Sequence, residues 1–249
     1  MIPVIEFGFS LIVAHLVGDF VLQTERIVQN KRRWTVLLWH SFHHAALAYF
    51  FAGRWGAWLL PVAVLATHAM IDRIKIAIRS SRFLLWFSLD QAAHLLVIFL
   101  LTVWIGEGGE TSAWSGWLGS ALPRIWIVVG GAIVCVRVTG LLVGHWVHPY
   151  LRELEAARGV LATEPLARGL TNGGRVIGQW ERALIYLFIL LGQPAGVGFL
   201  VAAKSVFRFG ELKDRENRME AEYITIGTLM SFACALAVSY LVAWALAGL

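Results

Sequence analysis

The chain of 249 residues is 58% hydrophobic and 15% charged, with a mean hydropathy of +0.68, whereas ordinary soluble domains carry roughly 25% charged residues. Its apolar residues fall in blocks of about twenty, the length an α-helix needs to cross a hydrocarbon core ~30 Å thick, which excludes an ordinary soluble domain. The net charge of +5 comes from basic residues in short connections between those blocks, a placement that suits topology and anionic lipid headgroups and argues against nucleic acid.

The apolar blocks run over about 4–22, 35–52, 57–78, 84–105, 124–147, 183–203 and 223–249. They predict an all-α integral membrane protein, a helical bundle of six to seven transmembrane segments. Residues 1–105 form a four-helix membrane core. Residues 106–249 add further helices, with a cytoplasmic loop at 149–182. The first block lacks a basic leader and an Ala-x-Ala site and carries His15 and Asp19, so it is expected to be retained and not cleaved. Trp34, Trp55, Trp58, Trp86, Trp117, Trp146 and Trp180 flank the blocks, as an interfacial aromatic belt does. Cys135 and Cys234 lie in different blocks and make neither a disulfide framework nor a metal motif.

The connection at 23–34 holds Arg26, Lys31, Arg32 and Arg33, and a second basic cluster comprises Arg73, Lys75, Arg79 and Arg82. The connection at 106–123 has Glu107 and Glu110 and no Lys or Arg. The positive-inside rule then puts the N-terminus outside and both basic clusters in the cytoplasm. In the second half, the loop at 204–222 would fall outside despite its five basic residues. The Gly192-Gln193-Pro194-Ala195-Gly196 interruption of the sixth block allows a re-entrant or broken helix, tolerated where protein or water covers the freed backbone. Six spans plus such a segment, or seven full spans, both fit.

Ionisable residues recur inside the first four blocks: His15-x-x-x-Asp19, His40-x-x-His43-His44, His68-x-x-x-Asp72 and Asp90-Gln91-x-x-His94. Residues at i and i+4 share a helix face about 6 Å apart along the axis, so both side chains can reach one ion. His with carboxylate is a ligand set for zinc, iron or manganese. Counted from the cytoplasmic ends, Asp19, Asp72, Asp90 and His40 lie about four to six residues in, and His15, His43, His44, His68 and His94 lie near 12–15 Å. The order of His and Asp reverses where the chain direction reverses, which scattered polar residues would not do. Ala14-His15 and Thr67-His68 begin equivalent descending helices, suggesting two repeated hairpins. The expected ligands are His15, Asp19, His40, His44, His68, Asp72, Asp90 and His94, bound to a divalent transition metal, zinc first and iron or manganese next. Asp19, Asp72 and Asp90 are the catalytic candidates. His43 lies about 100° from His44 and is assigned with Gln23, Lys75 and Gln91 to the shell that orients ligands. Arg137, Lys204 and Arg208 are candidates for a substrate or lipid phosphate.

The run His15-x-x-x-Asp19-Phe20-x-x-Gln23, Lys31, His40, His68-x-x-x-Asp72-x-x-Lys75 and Asp90-Gln91-x-x-His94 resembles a bacterial membrane-protein family, domain of unknown function 3307, over about residues 5–105. Gly178-x-x-Glu181-Arg182, Ala203-Lys204-Ser205-x-x-Arg208-Phe209 and Glu222-Tyr223-x-x-Gly227-Thr228 resemble its longer members. The resemblance implies a multi-pass protein of the bacterial inner membrane without supplying a reaction, and there is a more distant likeness to membrane-bound metal-dependent hydrolases.

The leading expectation is a metal-dependent hydrolase or transferase acting on a lipid-linked substrate near the cytoplasmic headgroups, with membrane lipids as its surroundings and no nucleic-acid partner. A proton-coupled or metal-ion transporter would use the same His/Asp layer. A non-catalytic membrane partner would use it only to hold four helices together. Substrate and oligomeric state are not encoded in any motif.

Overall fold

A run of apolar residues that satisfies every backbone group within itself is a helix, and all regular elements among the described residues are helical. The computed structural model describes residues 2–78, 82–106, 110–161, 172–209 and 218–249. They divide into two compact units, residues 1–130 and 131–249.

In the first unit, α1 (Ile2–Val17) runs into a π-helical turn (Gly18–Leu22). Then follow α2 (Glu25–Asn30), capped by the Thr24 hydroxyl, α3 (Trp34–Ala52), α4 (Leu59–Ala77), α5 (Phe83–Gly106) and the short α6 (Ala113–Leu118). α1 packs on α3 and α5, α3 on α4, and α4 on α5, which closes a four-helix ring. Small residues let the helices approach, as they do where lipid supplies no hydrophobic drive between helices. Ala14, Ala48 and Ala52 are buried with Phe7, Leu11, Leu60 and Leu101. On α3 the inner face is Leu37, His40, Ser41, His44, Ala45, Ala48 and Ala52, while Trp39, Phe42 and Phe50 are exposed. α5 is likewise apolar outside, at Leu96, Phe99 and Trp104, and polar inside, at Asp90 and His94. Polar groups within and large apolar groups outside invert the pattern of a soluble bundle.

The end of this bundle opposite the basic loops is tied by side chains. Gly53 ends α3 at φ 60°, in the left-handed region. Arg54 lies over the Phe7 ring at 4.2 Å and donates to the Ile105 carbonyl at 3.3 Å. Burial lowers its guanidinium from the ordinary value, and Glu110 and Glu6 act in the opposite direction. Glu110 also accepts from the Gly56 amide.

A single helix continues from α7 (Ala121–Ile133) through a second π-helical turn (Val134–Val138) into α8 (Thr139–Leu161). Its later part belongs to the second unit, with α9 (Gly173–Leu190), α10 (Ala195–Phe209) and α11 (Arg218–Ala247). There α11 packs on α8 and α9, and α10 on α9. The interruption expected in the sixth block is a turn between α9 and α10, with Gly192 at φ 68° and Pro194 just before α10.

Among the described residues, four helices are long and apolar enough to cross a membrane, over Val4–Leu22, Phe83–Gly106, Ala121–Ala157 and Met219–Ala247. This is compatible with a membrane protein, but it is fewer than the six or seven spans expected. α3 and α4 have the length, at 19 residues each. What lowers their apolarity is their polar content: three histidines on α3, of which His40 and His44 are buried, and His68, Asp72, Arg73 and Lys75 on α4. The loop expected at 149–182 is also largely replaced by helix, because 149–161 continue α8 and 173–182 open α9. Its Leu151-Arg152-Glu153-Leu154-Glu155-Ala156-Ala157 run consists of good helix formers. Of the 204–222 loop, 204–209 end α10 and 218–222 open α11; residues 162–171 and 210–217 lie outside the described residues.

Candidate metal centre

The four inner faces of the first unit meet on the histidines and aspartates. The π-helical turn carries Asp19, and such a turn widens the backbone locally and re-aims a side chain. The Asp19 Oδ1 atom lies 3.2 Å from His44 Nε2, 3.3 Å from His40 Nε2 and 4.0 Å from His68 Nε2. The His40 and His68 Nε2 atoms are 3.2 Å apart. Zinc ligands about 2.0–2.2 Å from the ion at tetrahedral corners stand roughly 3.3–3.6 Å from one another, a spacing these four atoms approach, with Asp19 to His68 the longest of the four contacts at 4.0 Å.

Two further groups overlap or adjoin it. His15, His68 and His94 form one, and Asp72, Asp90 and His94 the other; within each group the ligand atoms lie within 4.8 Å of one another. The His44 and His68 rings stack at 3.7 Å, and the His68 and His94 rings at 4.3 Å. His15, His40, His44, His68, His94, Asp72 and Asp90 are all buried. All eight expected ligands thus come together. Asp19 Oδ1, His44 Nε2, Asp72 Oδ2, Asp90 Oδ1 and His94 Nε2 are buried without a hydrogen-bond partner among the described residues. Unmet donor and acceptor valences of this kind fit a cation, since buried polar groups otherwise find partners.

Around these atoms the orienting contacts are specific. The Gln91 side-chain amide reaches Asp90 Oδ2 at 3.1 Å and Asp19 Oδ2 at 3.5 Å, while its oxygen lies 3.2 Å from His15 Nε2. Lys75 Nζ meets Asp90 Oδ2 at 2.5 Å. Gln23 donates to the Asp19 carbonyl at 3.4 Å, so it braces the turn and not the carboxylate. His43 does not join the shell assigned to it: its Nδ1 lies 2.8 Å from the Trp39 carbonyl and its ring packs edge-on against Trp39. The 100° step from His44 turns it out of the bundle.

Two participants had no role assigned from sequence. Lys31 Nζ is 2.8 Å from Asp72 Oδ2; it stands in the resembling motif, but its target comes from another helix. Gly18 packs beneath His44, where a Cβ would fall on the imidazole ring. A glycine directly before Asp19 was the available signal. Next to the imidazoles is a cavity of about 30 Å³, lined by His15, His44, His68, His94, Thr67 and apolar residues including Val64 and Leu101. That is room for one or two waters.

The expected phosphate contacts belong to the second unit. Arg137 is exposed, on the second π-helical turn. Lys204 is held by Glu181, with both carboxylate oxygens at 2.7 Å. Arg208 is in α10, but its side chain lies outside the described residues. The buried guanidinium of this unit is Arg182. It donates from Nε and Nη2 to the Val136 carbonyl at 3.2 and 2.9 Å, and from Nη1 to Ser231 at 3.0 Å.

With this geometry in place, the comparisons agree with the motif. Residues 7–118 match the family described as protein of unknown function, DUF3307. The matched segment spans the bundle and every His and Asp of the centre, as the resemblance over 5–105 implied, and does not reach the C-terminal stretches also quoted for it. No curated protein and no solved structure matches the chain.

Proposed function

We propose that the chain is a multi-pass membrane protein whose first unit is a metal-dependent hydrolase or transferase acting on a lipid-linked substrate. The observation that carries the reading is the convergence of Asp19, His40, His44 and His68, with ligand atoms within 4.8 Å of one another, beside a water-sized cavity. Buried ionisable groups at membrane depth are costly and are retained for function. Zinc suits the mixed imidazole and carboxylate set best, with iron or manganese as the other candidates. A divalent ion there would lower the pKa of water and polarise an ester or phosphate group.

The chain's own residues supply the rest. Asp72 and Asp90, outside the tetrad and within reach of the imidazoles, are placed to accept a proton. Lys75, partly exposed, links Asp90 to the bundle end that carries the basic loops. The positive-inside rule makes that end cytoplasmic and the N-terminus external, in a bacterial inner membrane. It is the end at which an anionic headgroup would meet the exposed Arg32 and Arg33.

The test is turnover in detergent, where no gradient exists to drive transport. Zinc-loaded protein is incubated with a polar lipid extract, and the lipids are followed by mass spectrometry. We expect a zinc-dependent product that Asp19→Asn abolishes. Zinc bound with every lipid unchanged would defeat the enzyme reading and favour transport, tested next as zinc or proton flux into vesicles.

A further inference from the structure

We propose that the centre takes one divalent ion, on Asp19, His40, His44 and His68, and that the ammonium groups of Lys31 and Lys75 fill the place of a second. This rests on the metal reading above and fixes the number of ions and their single anionic ligand.

The ligands alone would allow two. The group Asp19, His40, His44 and His68 and the group Asp72, Asp90 and His94 share no residue, and paired ions are a common arrangement for displacement at phosphorus. The carboxylates, however, are not equivalent. Asp72 is paired with Lys31 at 2.8 Å, and Asp90 with Lys75 at 2.5 Å. The Lys31 contact is made to Asp72 Oδ2, the oxygen that faces His68 at 3.5 Å and His40 at 3.6 Å. The ammonium thus neutralises the oxygen that an ion would meet from that side, although that oxygen accepts no hydrogen bond. Asp19 has no Lys or Arg within ion-pair distance among the described contacts. It faces only imidazoles and the Gln91 amide. Its Oδ1 atom and the opposing His44 Nε2 are buried without hydrogen-bond partners, as is Asp72 Oδ2, but only the aspartate oxygen of the first group lacks a neighbouring ammonium as well.

Charge leads to the same place. With neutral imidazoles, three carboxylates and two ammonium groups leave one negative charge. A first divalent ion brings the interior to one positive charge, and a second brings it to three. Charge of one sign in a low-dielectric interior is strongly unfavourable. The remaining unbonded pair, Asp90 Oδ1 and His94 Nε2 at 3.7 Å, has the separation at which a bridging water serves.

The experiment counts zinc per chain in detergent-purified protein after loading and removal of free metal. We expect about one zinc per wild-type chain, less than about a tenth in Asp19→Asn, and about one in Asp90→Asn. In Lys31→Met with Lys75→Met the count should rise towards two. Should that variant not fold, Lys75→Met with Asp90→Asn keeps the charge balance and is expected to hold one zinc. Two zinc ions in the wild type, or a loss in Asp90→Asn as complete as in Asp19→Asn, would overturn the mononuclear assignment while leaving the metal reading intact. No zinc at all overturns the metal reading itself. One zinc without lipid turnover defeats only the enzyme reading.

Discussion

Each unit places a π-helical turn at its buried polar residues, and the two turns do opposite things. In the first unit, Gly18–Leu22 delivers Asp19 to four imidazoles, and buried atoms on both sides stay without hydrogen-bond partners. In the second, the turn at Val134–Val138 offers the Val136 carbonyl, and Arg182 answers it twice while Ser231 takes a third N–H. Gly140 and Gly178 leave space for that guanidinium, since a Cβ on either would come within 3.1 Å of it. A buried charge whose donors are answered by backbone is a brace. On the reading proposed above, a cluster whose lone pairs converge without partners is a receptor for a cation. The same backbone device then serves architecture in one unit and chemistry in the other.

That contrast is broken most directly by removing the central residue of each. Asp19→Asn should weaken zinc binding by more than the roughly 10–100-fold that loss of an outer partner produces, with the unfolding temperature of the metal-free protein little changed. Arg182→Met should do the reverse. Zinc content stays at the wild-type level, while the orphaned acceptors cost about 1–3 kcal/mol each, read as a lower unfolding temperature in detergent. Zinc loss in Arg182→Met with Asp19→Asn unaffected would exchange the two roles.

Gly18→Ala tests the first turn alone. The added Cβ would overlap the His44 ring, so either the ring or the turn must move. We expect zinc affinity to fall by about 10–100-fold, the range for a disturbed supporting contact, with Gly178→Ala leaving it unchanged. Equal affinities in the two alanine variants would show that His44 does not need its present seat.

Acid should separate the units as well. Imidazole ligands bind a metal only when deprotonated, and their ordinary pKa is about 6.5. Protons therefore compete increasingly as pH falls through that value. The sign is release on acidification: zinc is held at pH 8 and lost towards pH 5, more steeply than for a single titrating ligand because three histidines compete. Zinc retention at pH 5 would argue against an imidazole-rich site. Arg182 stays charged throughout this range, so its contacts predict no parallel change in the second unit.

The centre was legible in the sequence because helical periodicity fixes which residues share a face. The i, i+4 spacing and the shared depth of His15, Asp19, His68, Asp72, Asp90 and His94 were enough to bring four helices to one layer. What periodicity does not carry is the partner across a tertiary contact. Lys31 looked like a topology residue in a basic loop until Asp72 stood beside it. Arg137 lies inside an apolar block, yet it is exposed, and a buried guanidinium of that unit is Arg182 on another helix. The π-helical turns were invisible for the same reason, since they depend on how Gly18 meets His44 and how Val136 meets Arg182. Span counting suffered from the centre itself: the side chains that make α3 and α4 polar inside also make them the least apolar helices of the bundle.

The smallest effect is expected at His43, and it is the sharpest control on that reading of faces. His43 is adjacent to His44 in the chain and belongs to the same histidine-rich run, so a site built from local composition would lose much of its metal in His43→Ala. A site built from faces would not. His43 bonds the Trp39 carbonyl and stacks edge-on against the Trp39 ring, both on its own helix, and reaches no carboxylate of the centre. Polar contacts inside membrane proteins average about 0.6 kcal/mol, so the unfolding temperature should fall slightly at most. Zinc content and affinity should match the wild type within a factor of about two. His44→Ala, one residue along, removes a tetrahedral corner 3.2 Å from Asp19 and should lose most of the metal. If the two alanine variants lose metal equally, the histidines act as a loose imidazole-rich patch, and the distinction drawn here between a receptor and a brace fails with them.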